Sequence, residues 1–330
     1  MDIQYDLVPF SDAVRETYRL LLTEQHNEIE LGKLEWKFRD NPKGSGLIAT
    51  ASRGGEIVGI NAFMASVFQI DGISRPGYQS MDTVVSPVAR GLGVFSNLLG
   101  FFYDRSDGDL LYGFPNLNSS QGFFGKLGWT NFGPVPMLIR PLRAGYFLKR
   151  FIPILPDFSI PNLSKKYLAA ERVTRFNEND SDTWNKFSSE IKCATRRDAT
   201  FLNWRVFDHP TTKYDVLRAT DGSFVVSTVA NKHGGRVGYL MDAIGGDTTL
   251  PSLITTSLKT MQAAGADVAL SWCLPTSPNY QSYRQAGFYP FPTILRPIVI
   301  NFGARPLLGD APIINNKSSW YISYLDSDTV

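Results

Sequence analysis

Apolar residues recur in two rhythms along the first half of the chain. Val14, Tyr18, Leu21 and Leu22 fall at helical spacing, and Ser11 or Asp12 can cap the start, so a helix is predicted over 12–30. Residues 47–52 and 57–68 are apolar and β-rich, and they flank the turn-forming Arg53-Gly54-Gly55-Glu56, which predicts a hairpin. A strand over 78–85 is stopped by Pro87. From about Arg90, residues Val94, Phe95, Leu98, Leu99, Phe102 and Tyr103 define one buried helical face. A short buried strand over 110–114, a helix over 119–127 closed by Gly128, and a last strand over 138–142 complete the series. The order is helix, hairpin, strand, helix, strand, helix, strand, which is a mixed α/β domain.

The chain also contains an echo of itself. Leu34-Glu35-Trp36-Lys37-Phe38-Arg39-Asp40-Asn41-Pro42 returns as Leu202-Asn203-Trp204-Arg205-Val206-Phe207-Asp208-His209-Pro210. Tyr78-Gln79-Ser80-Met81-Asp82 returns more weakly as Tyr239-Leu240-Met241-Asp242. Lys126-Leu127-Gly128-Trp129 matches Gln285-Ala286-Gly287-Phe288, and the run from Pro136 to Leu142 matches the run from Pro292 to Ile298. Four matches keep one order, at offsets that shrink from about 168 to about 156 residues, as short deletions after a duplication would produce. The expected division is a first domain over 1–145, a proline-rich connector over 146–164 and a second domain over 165–330.

Composition narrows the function classes. The chain has 330 residues, 43% of them hydrophobic and 19% charged, an ordinary globular balance. A net charge of +2 leaves too little basic excess for a non-specific nucleic-acid clamp. Two isolated cysteines, Cys193 and Cys273, and three scattered histidines do not form a metal-ligand pattern, so no metal is expected. No apolar run reaches membrane-spanning length, and the acidic N-terminus does not read as a signal peptide; a cytoplasmic protein is the expectation.

Chemistry concentrates between Met81 and Ser96. A predicted strand runs into Arg90-Gly91-Leu92-Gly93 and then into a helix starting near Val94 and Phe95. Such a helix tip offers unpaired amides and the positive end of its dipole, and bare glycines let an anion approach the backbone. The Walker and dinucleotide glycine patterns are not met. A ligand-free glycine turn stands beside a phosphate site as a reading of these residues alone.

The pattern Val85-x-Pro87-x-x-Arg90-Gly91-x-Gly93 resembles motif A of the GNAT acyltransferases. The stretch from Phe114 through Asn116, Asn118, Ser119 and Ser120 to Trp129 resembles motif B. The resemblance implies two tandem GNAT-like mixed-sheet domains with an acyl-coenzyme A site only in the first. Val84, Val85, Arg90, Gly91, Leu92, Gly93, Val94, Phe95, Asn116, Asn118 and Ser119 would bind the coenzyme, with backbone amides near Val84 or Val85 polarising the thioester carbonyl. The family's tyrosine acid falls at Phe123 or Phe124, which cannot donate a proton. Ser119, Ser120 or water would take that part. In the second half the matching turn is Ala243-Ile244-Gly245-Gly246-Asp247, without an arginine and with an acid, so that domain would shape the acceptor pocket instead. Asp82, His26 and Glu28 are the candidate bases for an amine acceptor. Asp242 repeats Asp82 in the half without a coenzyme turn, so a structural role for Asp82 stands open beside the catalytic one. Trp36, Trp204, Tyr280, Tyr283 and Trp272 read as packing, although the last three could stack on a planar base; Arg140 and Arg296 are expected in edge-like strands. The tandem arrangement resembles bacterial enzymes that acylate nucleotide-linked amino sugars with acetyl or 3-hydroxybutyryl groups for surface polysaccharide. Two other readings are a peptidoglycan-bridge transferase using aminoacyl-tRNA and a non-catalytic binding protein of the same fold.

Overall fold

The computed structural model describes residues 2–23, 30–143, 160, 168–309 and 311–327. Two compact units result, and they interleave along the chain. One holds Met1–Pro134, Asp208–Thr211 and Val299–Ser319; the other holds Val135–Phe207, Thr212–Ile298 and Trp320–Val330. Compared with the expected division at 1–145, 146–164 and 165–330, the halves trade their last strands. Of the expected connector, only Ile160 lies within the described residues.

The first unit contains β1 (Gln4–Pro9), α1 (Asp12–Thr23), α2 (Leu31–Phe38), β2 (Leu47–Arg53), β3 (Glu56–Ile70), β4 (Ile73–Val85), α3 (Val94–Tyr103), β5 (Leu110–Gly113), α4 (Leu117–Lys126) and β6 (Thr130–Pro134). The predicted helix over 12–30 does not run through, because Glu30 has extended backbone and α2 starts after it. Strand β1 was not expected. It pairs with β2 in full antiparallel register. The predicted hairpin forms as β2–β3, and β3 pairs antiparallel with β4 as well. Helix α3 buries Val94, Leu98, Leu99 and Phe102, the face its periodicity marked, and Phe102 stacks on Phe63 with centroids 3.6 Å apart. Fully burying each such side chain stabilises the fold by about 1.5–3 kcal/mol.

The second unit contains β7 (Met137–Pro141), β8 (Glu171–Arg172), α5 (Glu178–Phe187), β9 (Cys193–Thr195), α6 (Ala199–Leu202), β10 (Asp215–Arg218), β11 (Phe224–Lys232), β12 (Gly235–Ile244), α7 (Leu250–Ala263), β13 (Val268–Trp272), α8 (Tyr280–Gln285) and β14 (Tyr289–Pro290). Its sheet runs β14-β7-β13-β12-β11-β10-β8. The last strand, β15 (Asn301–Pro306), belongs to the first unit, whose sheet runs β1-β2-β3-β4-β5-β15-β6. Pro134 and Pro136 lack amide hydrogens and interrupt the ladder after β6, so β7 does not continue as a hairpin. Arg140 therefore sits between two strands, not on an edge, and is buried. Arg296 lies outside any strand; it donates to the Phe291 and Val135 carbonyls. The strand matched to 138–142 in the second half forms only further on, at Asn301–Pro306, while Thr293–Leu295 makes a short 3₁₀ turn.

Trp36 and Trp204 are both buried, and Trp36 packs against the His209 ring 4.4 Å away. Trp272 and Tyr283 are buried, and the Tyr283 hydroxyl lies 3.0 Å from Ser271 Oγ. Packing accounts for them, and they offer no open stacking face.

Candidate functional site

Strands β4 and β5 are parallel neighbours only from Gly77–Gln79 against Leu110–Tyr112. The parallel register ends there, three residues before Asp82. Past it lies a cavity of about 210 Å³ lined by Ser80, Met81, Asp82, Thr83, Gly113, Phe114, Pro115, Asn116, Ser119, Phe123 and Trp129. A β-bulge shapes its β4 wall, because Asn61 alone faces Asp82 and Thr83 in the register. Its amide donates to the Met81 carbonyl at 3.3 Å and to the Thr83 hydroxyl. Asp82 takes up the bulge with φ +49°, a left-handed conformation that aspartate tolerates better than most residues.

Asp82 Oδ2 accepts from the Tyr18 hydroxyl at 2.7 Å and from Lys37 Nζ at 3.5 Å. Both donors come from helices that precede β4 in the chain. Oδ1 has no protein partner among the described residues, and the side chain remains 25% exposed. One carboxylate oxygen is thus clamped and the other accepts from no donor among the described residues, on a residue that lines the cavity. His26 and Glu28 lie outside the described residues.

A second cavity, about 440 Å³, opens at the tip of α3. Val85, Arg90, Gly91, Gly93, Val94, Phe95 and Ser96 line it together with Asn118, Gln121, Gly122 and Lys126 of α4. Arg90 is extended, not helical, and the helix starts only at Val94, behind Gly93 as cap. Gly91 and Gly93 have φ +80° and +76°. Each shapes a turn that an L side chain resists, and a Cβ on Gly91 would meet nothing within 4 Å. The amides of Val94, Phe95 and Ser96, in the first turn, have no intrahelical acceptor. Arg90 Nε reaches the Val85 carbonyl at 3.4 Å, which holds the guanidinium by the turn. Lys126 and Gln121 were missed by sequence reasoning. Their signal is a spacing of one helical turn or more on the α4 face toward α3, where Gly122 admits Phe95 at close range.

Asn116 caps α4, its side chain accepting from the amides of Asn118 and Ser119. Asn118 then faces the α3 cavity and Ser119 the β4–β5 cavity, so the two cavities are successive stations along β4 and the α4 tip. Of the two phenylalanines at the family's acid position, Phe123 is the one on the cleft wall, edge-on to Trp129 at 4.8 Å. The Trp129 indole donates to the Tyr103 hydroxyl behind it, and burial pushes the Tyr103 phenol up to about 12. Leu92 is exposed at the turn, whereas Val84 is buried in β4 and reaches neither cavity with its side chain.

The matching turn of the second unit is closed. Gly246 N–H donates to Ser223 Oγ at 3.2 Å, and a Cβ on Gly245 would collide with Ser223. Among the described residues, no three His, Cys, Asp or Glu side chains group closely enough to hold a metal ion, and no helix is long and apolar enough to cross a membrane.

An α/β chain of two mixed sheets, with a short parallel pair and a glycine turn opening a helix, is the architecture of the GNAT fold. Among solved structures, a GCN5-related N-acetyltransferase from Anabaena variabilis superposes with a TM-score of 0.65 at 11% identity, over 92% of this chain and 73% of that one. One from Kribbella flavida gives 0.61 at 14% identity, over 92% and 72%. Saccharomyces cerevisiae N-myristoyltransferase, solved with bound myristoyl-CoA, gives 0.57 at 14% identity, over 91% and 82%. No family model matches the sequence, and no curated protein matches it.

Proposed function

We propose that this chain is an acyl-CoA-dependent N-acyltransferase whose coenzyme site lies in the first unit. The observation that carries this reading is the alignment of two cavities along β4: an anion-ready helix tip at Gly91–Phe95, followed by a cleft lined by Asp82, one carboxylate oxygen of which accepts from no donor among the described residues. The solved N-myristoyltransferase with its bound acyl-CoA supports the donor class. The diphosphate would sit on the amides of Gly91 to Phe95, with Arg90 and Lys126 beside it. The pantetheine arm would run between β4 and β5. An acceptor amine attacks the thioester carbon, the carbon–sulfur bond breaks, and coenzyme A leaves as its thiol. Asp82 Oδ1 takes the proton from the amine, and β4 amides near Val84 and Val85 hold the carbonyl oxygen. Ser119, Ser120 or water would protonate the thiolate, since Phe123 on the cleft wall has no proton to give.

The acceptor in this reading is the amine of a nucleotide-linked amino sugar, and the acyl group is short, acetyl or 3-hydroxybutyryl. A non-catalytic acyl-CoA binder is the second reading, favoured by Phe123 on the cleft wall. Free-thiol release in a screen of nucleotide amino sugars against several acyl-CoA donors separates the two. Turnover selects the enzyme, and binding without turnover selects the second reading. If acetyl-CoA and CoA both leave the melting temperature unmoved at saturation, the donor site itself is refuted.

A further inference from the structure

We propose that residues 320–327 are a built-in ligand of the second unit, seated in that unit's counterpart of the β4–β5 cleft. The two clefts are comparable station by station. The parallel ladder of β12 and β13 joins Val237–Tyr239 to Val268–Leu270, just as Gly77–Gln79 joins Leu110–Tyr112. Both ladders end three residues before the repeated aspartate. In the first unit the space beyond the ladder is open. In the second, Tyr324 stacks on Trp272 at 4.5 Å and stands edge-on to Tyr239 at 5.4 Å, while Asn279 donates to the Ala243 carbonyl at 2.8 Å and to the Tyr321 hydroxyl at 3.0 Å.

The polar contacts show a fitted slot. Asp242 is fully buried, where Asp82 keeps a free oxygen. Its Oδ1 accepts from the Tyr321 hydroxyl and from the Ala243 amide, and its Oδ2 from Ser323 Oγ at 2.8 Å and Arg197 Nε at 3.1 Å. Arg197 also reaches Asp326 Oδ2 at 2.5 Å. Arg205, the repeat of Lys37, donates to the carbonyls of Leu325 and Ser327. Trp320 through Ser327 are all at most 3% exposed. The segment thus supplies the acceptors for Arg205 Nε and Nη2 and two of the four donors to Asp242, in a place withdrawn from water where such partners matter most. The slot therefore selects a peptide carrying hydroxyls at 321 and 323 and a carboxylate at 326. A cleft so occupied takes no thioester, which leaves one donor site per chain.

The comparison of the clefts rests on the functional reading given above for the first one; the occupancy of the second is tested without any donor. Hydrogen exchange is measured on the full chain, on Tyr324→Ala and on Leu258→Ala, a buried substitution in α7 that serves as a control for general loosening. In Tyr324→Ala, amides of 240–244, 271–273 and 320–327 should speed up together by about tenfold or more, with the rest of the unit little changed. In Leu258→Ala the increase should spread over the unit. Asp326→Asn, a milder change, should reproduce the first pattern. The proposal is overturned if Tyr324→Ala and Asp326→Asn give the diffuse pattern of the control, or leave the strand ends unchanged. It is also overturned if calorimetry finds two coenzyme A molecules per chain.

Discussion

Replacing Gly91 by alanine distinguishes a glycine kept for its backbone from one kept for a ligand. Gly91 has φ +80°, and a Cβ there meets nothing within 4 Å. Gly55, in the turn between β2 and β3, has φ +88° and the same open surroundings. Alanine at either position carries the same left-handed penalty, about 1–2 kcal/mol. Without ligand, both variants should therefore melt a few degrees low and by similar amounts. Coenzyme A at 100 times its Kd stabilises the native state by about 2.7 kcal/mol, and a tenfold weaker site retains about half of that. Gly91 lines the cavity at the helix tip, so in the proposed complex a methyl group there would crowd the approach of the diphosphate to the backbone. Scanning fluorimetry with and without coenzyme A, backed by calorimetry, should show the full ligand shift in Gly55→Ala and about half in Gly91→Ala. Equal shifts in the two variants would refute the assignment of this turn to phosphate.

Asp82→Asn keeps a residue that tolerates φ +49° and removes the basic oxygen; kcat measured by thiol release should fall about 10²–10⁴-fold while the KM for the thioester holds. Arg197→Met leaves Asp242 and Asp326 buried without their shared guanidinium, and denaturant titration should report a loss of about 3–5 kcal/mol. Burial pushes the Asp221 carboxyl up, but hydrogen bonds from the Thr249 side chain and the Ser223 amide outweigh it and hold the group below its ordinary 3.8. Its contribution to stability is then present above that value and lost as pH falls through the folded one. The difference in melting temperature between the native chain and Asp221→Asn should accordingly be constant near neutrality and vanish in strong acid.

The helices α1 and α3 were legible because each buries one spaced set of apolar residues, whereas β3 and β5 are buried on both faces and showed only as apolar runs. Val94, Leu98, Leu99 and Phe102 mark α3 by spacing alone, and the glycines at 54 and 55 mark the hairpin. What spacing cannot carry is the partner of a strand. Met137–Pro141 reads as a strand in sequence, but nothing local says that it pairs with Val268–Trp272. Strand β1 was invisible for a related reason: Gln4–Pro9 alternates weakly, and its pairing with β2 is what makes it a strand. At the site, the turn before α3 was legible from its two glycines, both of which take positive φ, while its reading as a phosphate site came from the resemblance to motif A. Lys37 and Tyr18 were not, since they reach Asp82 from helices far back in the chain. Lys126 was hidden in α4 because a lone lysine on a helix is ordinary until its neighbour across the cavity is known.

The recurrence of an aspartate at 82 and 242 first weighs against a catalytic role, since the second copy has no coenzyme turn. The surroundings of the two remove that objection. A carboxylate withdrawn from water needs donors on both oxygens, and Asp242 has them, supplied by Arg197, Tyr321, Ser323 and the Ala243 amide. Asp82 has donors on one oxygen only, and a quarter of its side chain still meets solvent. Duplication would have given both halves a bulged strand that carries Met-Asp near its end. Whether that aspartate is free to take a proton depends on what fills the cleft beside it. In the second unit a segment of the chain itself does so. In the first the space stays open, next to the helix tip proposed to hold the donor.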